Sequence, residues 1–396
     1  MRVLLITDNH SPTGGAEKYF FELKKNLQER PDLEVFSLGF GKYAETGNDF
    51  QILRATRNKM SKLFWQIFRH PRTYRQLRHA ITQINPDVIH LHNIKQHSAA
   101  LLKAISGYRV VQTIHDYSIV CPSAMNLHQD LLPCASGFRL SCFWQHHHKF
   151  NKLIYLGLVS SFMMMQKRLK KSVNQFMTVS PLLAEYMQKN GLHPVTYVPP
   201  FKNKVASTSQ TPKAGHFLYA GNFGAHKGTN LLIEEFALAC QQNPDLHLTL
   251  AGSGENETQL HHLVKQNKLE NNVTFIPWMN DISELYLSHF AVIAPSIVME
   301  AFGLLISEAM SHQRPVIGSN RGSIPWLIED NHTGLIFDPV KKGDLADKML
   351  QLANDTEHAK QLGKNGYEKI SRLMDTDHAL QKIIGVYESA SSQTTF

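Results

Sequence analysis

Cysteine is scarce in this chain of 396 residues: there are four, Cys121, Cys134, Cys142 and Cys240, and no two stand as C-x-x-C. So few thiols at such wide spacing exclude a disulfide scaffold and give no structural zinc pattern, so they read as reduced, cytoplasmic thiols. Long apolar runs are also missing. No stretch reaches the ~18–20 apolar residues that a membrane-spanning helix needs. The opening run, Met1-Arg2-Val3-Leu4-Leu5-Ile6-Thr7-Asp8, is too short for a signal peptide and reads as a buried first strand. Negative charge is locally absent too, with no Asp or Glu between Phe50 and Pro86.

That gap belongs to a wider asymmetry. The first 200 residues carry 25 Lys and Arg against 12 Asp and Glu, whereas the rest carry 16 against 21. Within the acid-free stretch, Met60, Leu63, Phe64, Ile67 and Phe68 follow the spacing of one helix face, and arginines and lysines surround them. Two readings stay open: the stripe packs on a core, or the helix lies on an anionic membrane. Nucleic acid is not indicated, because no aromatic–basic RNA motif or recognition-helix pattern accompanies the charge. A second apolar run, Leu153 to Met165, is flanked by lysines and arginine and is too short to span a bilayer. It reads as a buried helix, with an interfacial one as the alternative.

At 42% apolar and 19% charged, the chain is that of a soluble globular protein too long for one ordinary core. Short apolar runs alternate with helical patterns throughout, which predicts α/β architecture with parallel sheets. The expected strands are Arg2–Asp8, Glu34–Phe40, Asp87–His92, Arg109–His115, Gln175–Ser180 and Val195–Pro199 in the first half. In the second they are His216–Gly221, His247–Gly252, Val273–Pro277, Ala291–Ala294, Pro315–Ser319 and Gly334–Phe337. A stretch rich in Pro, Ser, Thr and Lys divides the two sets. This gives domains at 1–200 and 215–374, a linker at 201–214, and a final helical segment at 375–396. In open α/β sheets ligands sit at the C-terminal ends of the strands, so the loops there carry the chemistry.

The richest such loop follows Ala291–Ala294. Glu300 stands in a turn, a helix is expected to start near Gly303, and Glu308 lies about 7–8 Å further along at 1.5 Å per residue. The two carboxylates are too far apart to share a proton or a small metal ion. They can hold two hydroxyl-bearing parts of one extended ligand, with helix-start N–H groups facing an anion between them. A buried loop and a helix with one solvated Glu is the plain alternative. The first strand ends before Gly14-Gly15-Ala16-Glu17, where glycines permit a close phosphate approach; a tight turn without a ligand is the alternative, and the spacing is not G-x-G-x-x-G. His115-Asp116 closes a strand where it can hydrogen-bond sugar oxygens, whereas His90 and His92 alternate on one strand as structural or cleft-lining residues. Gly221-Asn222-Phe223-Gly224-Ala225-His226-Lys227-Gly228 is a glycine-bounded turn presenting Lys227 to phosphate, without the order of a P-loop. The lone D-x-D, Asp375-Thr376-Asp377, precedes the last helix and reads as its N-cap rather than a Mg²⁺ site. His146-His147-His148 makes no metal site by itself.

Together, Gly14-Gly15-Ala16-Glu17, Pro86-Asp87-Val88-Ile89-His90, His115-Asp116, Lys227-Gly228, the Glu300 to Glu308 segment, Gly322-Ser323-Ile324-Pro325 and Asn331-His332-Thr333-Gly334 resemble the retaining family 4 glycosyltransferases of the GT-B fold. The match covers nearly the whole chain. The resemblance implies an α/β GT-B protein with two Rossmann-like parallel-sheet domains facing across a cleft. It implies a metal-independent transfer of a sugar from a nucleotide sugar to a glycan or glycolipid acceptor, with retention and without a cofactor. Glu300 would contact the donor sugar with the backbone N–H groups of Phe302, Gly303 and Leu304, and Glu308 the ribose. Lys227 would take the diphosphate, approached by Gly14 and Gly15, and His115 would bond the transferred sugar. The last helix would return to the first domain. Two positions depart from the pattern: Asn222 stands where Arg is usual, removing a bidentate phosphate donor, and Trp326 stands where Glu is common. The implied setting is the cytoplasm, with peripheral contact on the inner face of the membrane, in bacterial surface polysaccharide synthesis. Asn222 also motivates the rival reading, a non-catalytic glycosyltransferase-like binding subunit; a sugar-nucleotide epimerase is disfavoured by the pattern around Glu300.

Overall fold

The computed structural model describes residues 1–8, 14–40, 49–52, 68–94, 98–122, 126, 133–134, 137–139, 142, 152–201, 205 and 212–390. Met60, Leu63, Phe64 and Ile67, His146 to His148, and most of the expected linker lie outside the described residues. The chain divides into two compact units. One comprises Met1–Gln129, Cys134–Phe201 and Asp375–Phe396, and the other centres on Lys202–Met374.

The first unit is built on seven strands: β1 (Arg2–Thr7), β2 (Glu34–Phe40), β3 (Asp49–Ile52), β4 (Val88–His92), β5 (Val110–Ile114), β6 (Gln175–Thr178) and β7 (Val195–Tyr197). They pair in parallel in the order β3-β2-β1-β4-β5-β6-β7. Val3, Leu4, Leu5 and Ile6 of the central strand are fully enclosed; burying each such side chain is worth about 1.5–3 kcal/mol. That is why β1 reads as an unbroken apolar run rather than an alternating one. The last helix, Thr376–Ser389, belongs to this unit: Ala379, Leu380, Ile383, Val386 and Tyr387 join the core of β1 and the helix Gly15–Gln28. Asp375 caps it by accepting a hydrogen bond from His378 N at 3.0 Å, the role its sequence position indicated.

The second unit carries six parallel strands, β8 (His216–Asn222), β9 (His247–Ser253), β10 (Val273–Ile276), β11 (Ala291–Ala294), β12 (Val316–Ser319) and β13 (Leu335–Phe337). Their order is β10-β9-β8-β11-β12-β13. The order reverses between β8 and β11, and in such sheets the crevice at the carboxyl ends of that pair is the ligand position. The loops after these two strands hold Lys227 and Glu300.

All twelve expected strands are present, each within two residues at either end. The exception is the additional β3, four residues at the sheet edge. It is held through Asp49, whose carboxylate accepts from Lys24 Nζ at 2.6 Å and from Ser37 Oγ, so a buried ion pair rather than an apolar run places it. The apolar run at 153–165 is also corrected. It forms part of the helix Lys152–Ser172, which buries Val159, Phe162 and Leu169 but exposes Leu156, Met163 and Met164. Burial is one-sided: the helix packs against the helix Ser98–Ala104 and leaves its other side to solvent. No helix among the described residues is long and apolar enough to cross a membrane.

Candidate donor site

The loop after β8 turns through the short helical segment Ala225–Lys227 into Gly228, whose φ of +74° lies in the left-handed region. A Cβ at Gly228 would stand 1.9 Å from the carbonyl oxygen of Pro295, so only glycine allows this turn to press against the loop after β11. The contact brings Lys227 to Glu300: Nζ lies 2.6 Å from Oε1. The same oxygen accepts from Ser296 Oγ. Burial by itself would raise the Glu300 carboxyl, but the Lys227 ammonium and the Ser296 hydroxyl hold it below the ordinary carboxylate range, so it is ionised at neutral pH. From the other side Gly322, at φ +59°, places its backbone against that of Glu300, where a Cβ would meet the Glu300 N and O at 2.3 Å.

Gly303 follows at φ +106° and opens the helix Leu304–Ser311. The backbone N–H groups of Phe302, Gly303 and Leu304 make no hydrogen bond to a described residue, leaving the donors that a helix start offers an anion. Phe302 is buried beside Trp326, with ring centroids 6.2 Å apart. Trp326 therefore supports this loop through packing. Glu308 sits within the helix, and its Oε2 accepts from Tyr286 Oη at 2.6 Å. The Tyr286 ring stacks on His312, whose Nδ1 lies 2.8 Å from the Glu308 carbonyl oxygen. Asn222 ends β8 and is exposed.

In the first unit, Gly14 precedes the helix Gly15–Gln28 and its carbonyl accepts from Lys18 N at 2.9 Å. His115 follows β5, with Nε2 at 3.1 Å from His92 Nδ1 and its ring 5.1 Å from that of Tyr19. Burial holds the His115 imidazole down to about 4, against a smaller upward pull from Asp116, so it is neutral at pH 7. His90, between Tyr387 Oη at 2.8 Å and Thr113 Oγ1 at 2.7 Å, is held down to about 3 by burial and by His115. It joins the last helix to the sheet and is a structural residue.

The structure thus brings Lys227, Glu300, Phe302 and Gly303 together in one place, with Glu308 on the helix that starts there. The sequence reading missed Ser296 and Tyr286. Ser296 carried a faint signal, four residues before Glu300 in the same loop; Tyr286 carried none, since its role is a contact across 22 residues.

Comparison with known proteins agrees with this architecture. A family model described as Glycosyltransferase Family 4 matches residues 13–202, and one described as Glycosyl transferases group 1 matches residues 202–369. An uncharacterised glycosyltransferase of Haemophilus influenzae is 30% identical over 193 residues, 48% of this chain and 51% of that protein. The chain spans about half the length of the curated relatives it matches. Among solved structures, sucrose-phosphate synthase from Thermosynechococcus elongatus has a TM-score of 0.78 at 18% identity, covering 99% of this chain and 100% of that one. HepE of Anabaena, solved in complex with UDP and glucose, has a TM-score of 0.74 at 18% identity, with 98% and 100% covered. With matches that run from residue 13 to residue 369 and two Rossmann-like parallel-sheet units, the chain belongs to the family 4 glycosyltransferases of the GT-B fold.

Proposed function

We propose that this chain is a retaining glycosyltransferase that moves a sugar from a nucleoside-diphosphate donor to a hydroxyl of a glycan or lipid-linked glycan, in bacterial surface polysaccharide synthesis. The observation that carries the reading is the paired Lys227 and Glu300 beside the N–H groups of Phe302, Gly303 and Leu304, which have no partner among the described residues. An ammonium and a helix start face one anionic group there, and an ionised carboxylate adjoins them for sugar hydroxyls. Glu308, further along the same helix, takes the ribose, a spacing that suits a sugar joined to a nucleoside through a diphosphate. Gly14 and Gly15 permit close approach to the diphosphate, and His115 hydrogen-bonds the transferred sugar.

In this reading the charge of the leaving diphosphate is offset by Lys227 and the helix start, so neither a divalent ion nor a cofactor is required. The one D-x-D sequence is engaged as a helix cap. Glu300 stabilises positive character at the sugar, and the acceptor hydroxyl attacks on the face from which the diphosphate departs.

For the acceptor, the first unit offers a basic surface. The exposed face of Lys152–Ser172 carries Leu156, Met163 and Met164, then Lys167, Lys170 and Lys171. The helix Pro71–Ile84 exposes Arg72, Arg75 and Arg78, and neither helix contains an acidic residue. Such faces suit peripheral binding to the anionic inner leaflet, where a lipid-linked acceptor is presented.

The second reading is a non-catalytic binding subunit, favoured by Asn222 in place of a bidentate phosphate donor. Incubating the purified chain with UDP-, GDP- and ADP-sugars separates the two. Release of nucleoside diphosphate that is lost in Glu300→Gln supports the enzyme; stabilisation by a donor without turnover, with any acceptor glycan, supports the binding subunit.

A further inference from the structure

His90 and His92 alternate on β4, and Thr113 of β5 pairs with His92 in the sheet register, so His115, two residues beyond Thr113, falls on the same face. The outcome is a direct contact between two imidazoles: His92 Nδ1 lies 3.1 Å from His115 Nε2, with the rings 28° from coplanar. Burial keeps both rings neutral at pH 7, so exactly one of the two facing nitrogens carries the shared hydrogen. The remaining nitrogen of His92, Nε2, is enclosed and has no partner among the described residues. A proton there would be an enclosed N–H without an acceptor, which folded proteins rarely tolerate. Its proton therefore belongs on Nδ1, donating to His115 Nε2. The proton of His115 is then left on Nδ1, which makes no hydrogen bond to a described residue.

We propose that His92 is a positioning residue, which fixes the His115 ring and holds it as the tautomer with its proton on Nδ1, so that His115 offers a ligand oxygen a hydrogen-bond donor and no basic nitrogen. The nitrogen that carries the proton is set by the bond the other one makes. His115 then serves as a fixed dipole toward the transferred sugar rather than as a general base. This rests on the reading of His115 as a contact to that sugar.

The test uses the full chain labelled with ¹⁵N histidine. Long-range ¹H–¹⁵N correlation at neutral pH reports which ring nitrogen of His115 is protonated, with its signals identified by their loss in His115→Ala. The expected result is a protonated Nδ1 and a bare Nε2. In His92→Phe the two tautomers of His115 interconvert, and kcat falls by about tenfold or more with little change in donor KM. His92→Asn, whose amide nitrogen replaces Nδ1 as the donor, keeps both the tautomer and most of kcat. A proton on Nε2 of His115 in the wild type overturns the proposal, as does a natively folded His92→Phe chain with unchanged kcat. If the wild type turns over no nucleotide sugar, the transferase reading fails by itself, and the tautomer measurement still decides the role of His92.

Discussion

Lys227 and Glu300 are each other's partner, with Nζ 2.6 Å from Oε1, although family resemblance gives one the diphosphate and the other the sugar. Each charge is therefore held in place by the other before either meets a substrate. Under the proposed function a donor would share this pair, its diphosphate competing for the ammonium and its hydroxyls for the carboxylate. Glu300→Gln is expected to lower kcat/KM by about 10²–10³-fold, the scale of a lost transition-state electrostatic contact. Lys227→Ala should lose as much. The double variant should be far less impaired than the product of the two losses, because the residues act as a unit. Steady-state kinetics of the four chains measures this directly; fully multiplicative losses would contradict the coupling.

Glu308 depends on Tyr286 in a similar way. The phenol donates to Glu308 Oε2 at 2.6 Å and orients it. Tyr286→Phe should raise the donor KM by about three- to tenfold, the cost of about 1 kcal/mol of hydrogen bond, and should leave kcat nearly unchanged. An equal effect on a donor analogue without the 2′- and 3′-hydroxyls would argue against a ribose role for Glu308.

Two glycines separate backbone strain from steric conflict. Gly343 has φ +86° with open space around its missing Cβ, whereas Gly322 has φ +59° and would drive a Cβ into the Glu300 backbone at 2.3 Å. Gly343→Ala should cost about 1–2 kcal/mol from strain alone. Gly322→Ala should cost more and also reduce turnover, because the Glu300 loop must shift. Urea unfolding and activity, measured on both, distinguish the two effects.

Acid should destabilise the first unit well above the carboxylate range. His90 is held down to about 3 and His115 to about 4, whereas the unfolded residues titrate near 6.5. The unfolded chain then binds more protons than the folded one, so stability is full above pH 6.5 and is lost as the pH falls toward 4. Each histidine accounts for a loss of about 2 kcal/mol of stability between pH 7 and pH 5. The urea midpoint should fall steadily between pH 7 and pH 5, and less steeply in His90→Gln. A flat midpoint over that range would contradict the buried, neutral state of these rings.

Strands are legible in this sequence where side-chain contacts are not. The central strands were found within two residues because parallel strands buried on both faces need unbroken apolar runs, as in Val3-Leu4-Leu5-Ile6. Asp49–Ile52 escaped because an edge strand anchored by a carboxylate leaves no such run. Glu300, Glu308 and Lys227 were legible as members of glycine-bounded loops at strand ends. Their partners were not: the Lys227–Glu300 pair spans 73 residues and the His92–His115 pair 23, so both arise only once the strands are laid side by side. The one-sided exposure of Leu156, Met163 and Met164 was hidden for the same reason, since a uniformly apolar run does not say which face will be packed.

Whether Glu300 and Lys227 handle the sugar and diphosphate of a nucleotide donor can be decided in one experiment. The most direct measurement is release of nucleoside diphosphate from a panel of UDP-, GDP- and ADP-sugars by the wild-type chain and by Glu300→Gln, each in the presence of EDTA. The expected result is turnover of at least one donor by the wild type, undiminished by the chelator, and a loss of about 10²-fold or more in the variant. Equal release by the two chains, or no turnover of any donor by a natively folded wild type supplied with acceptor glycans, would contradict it.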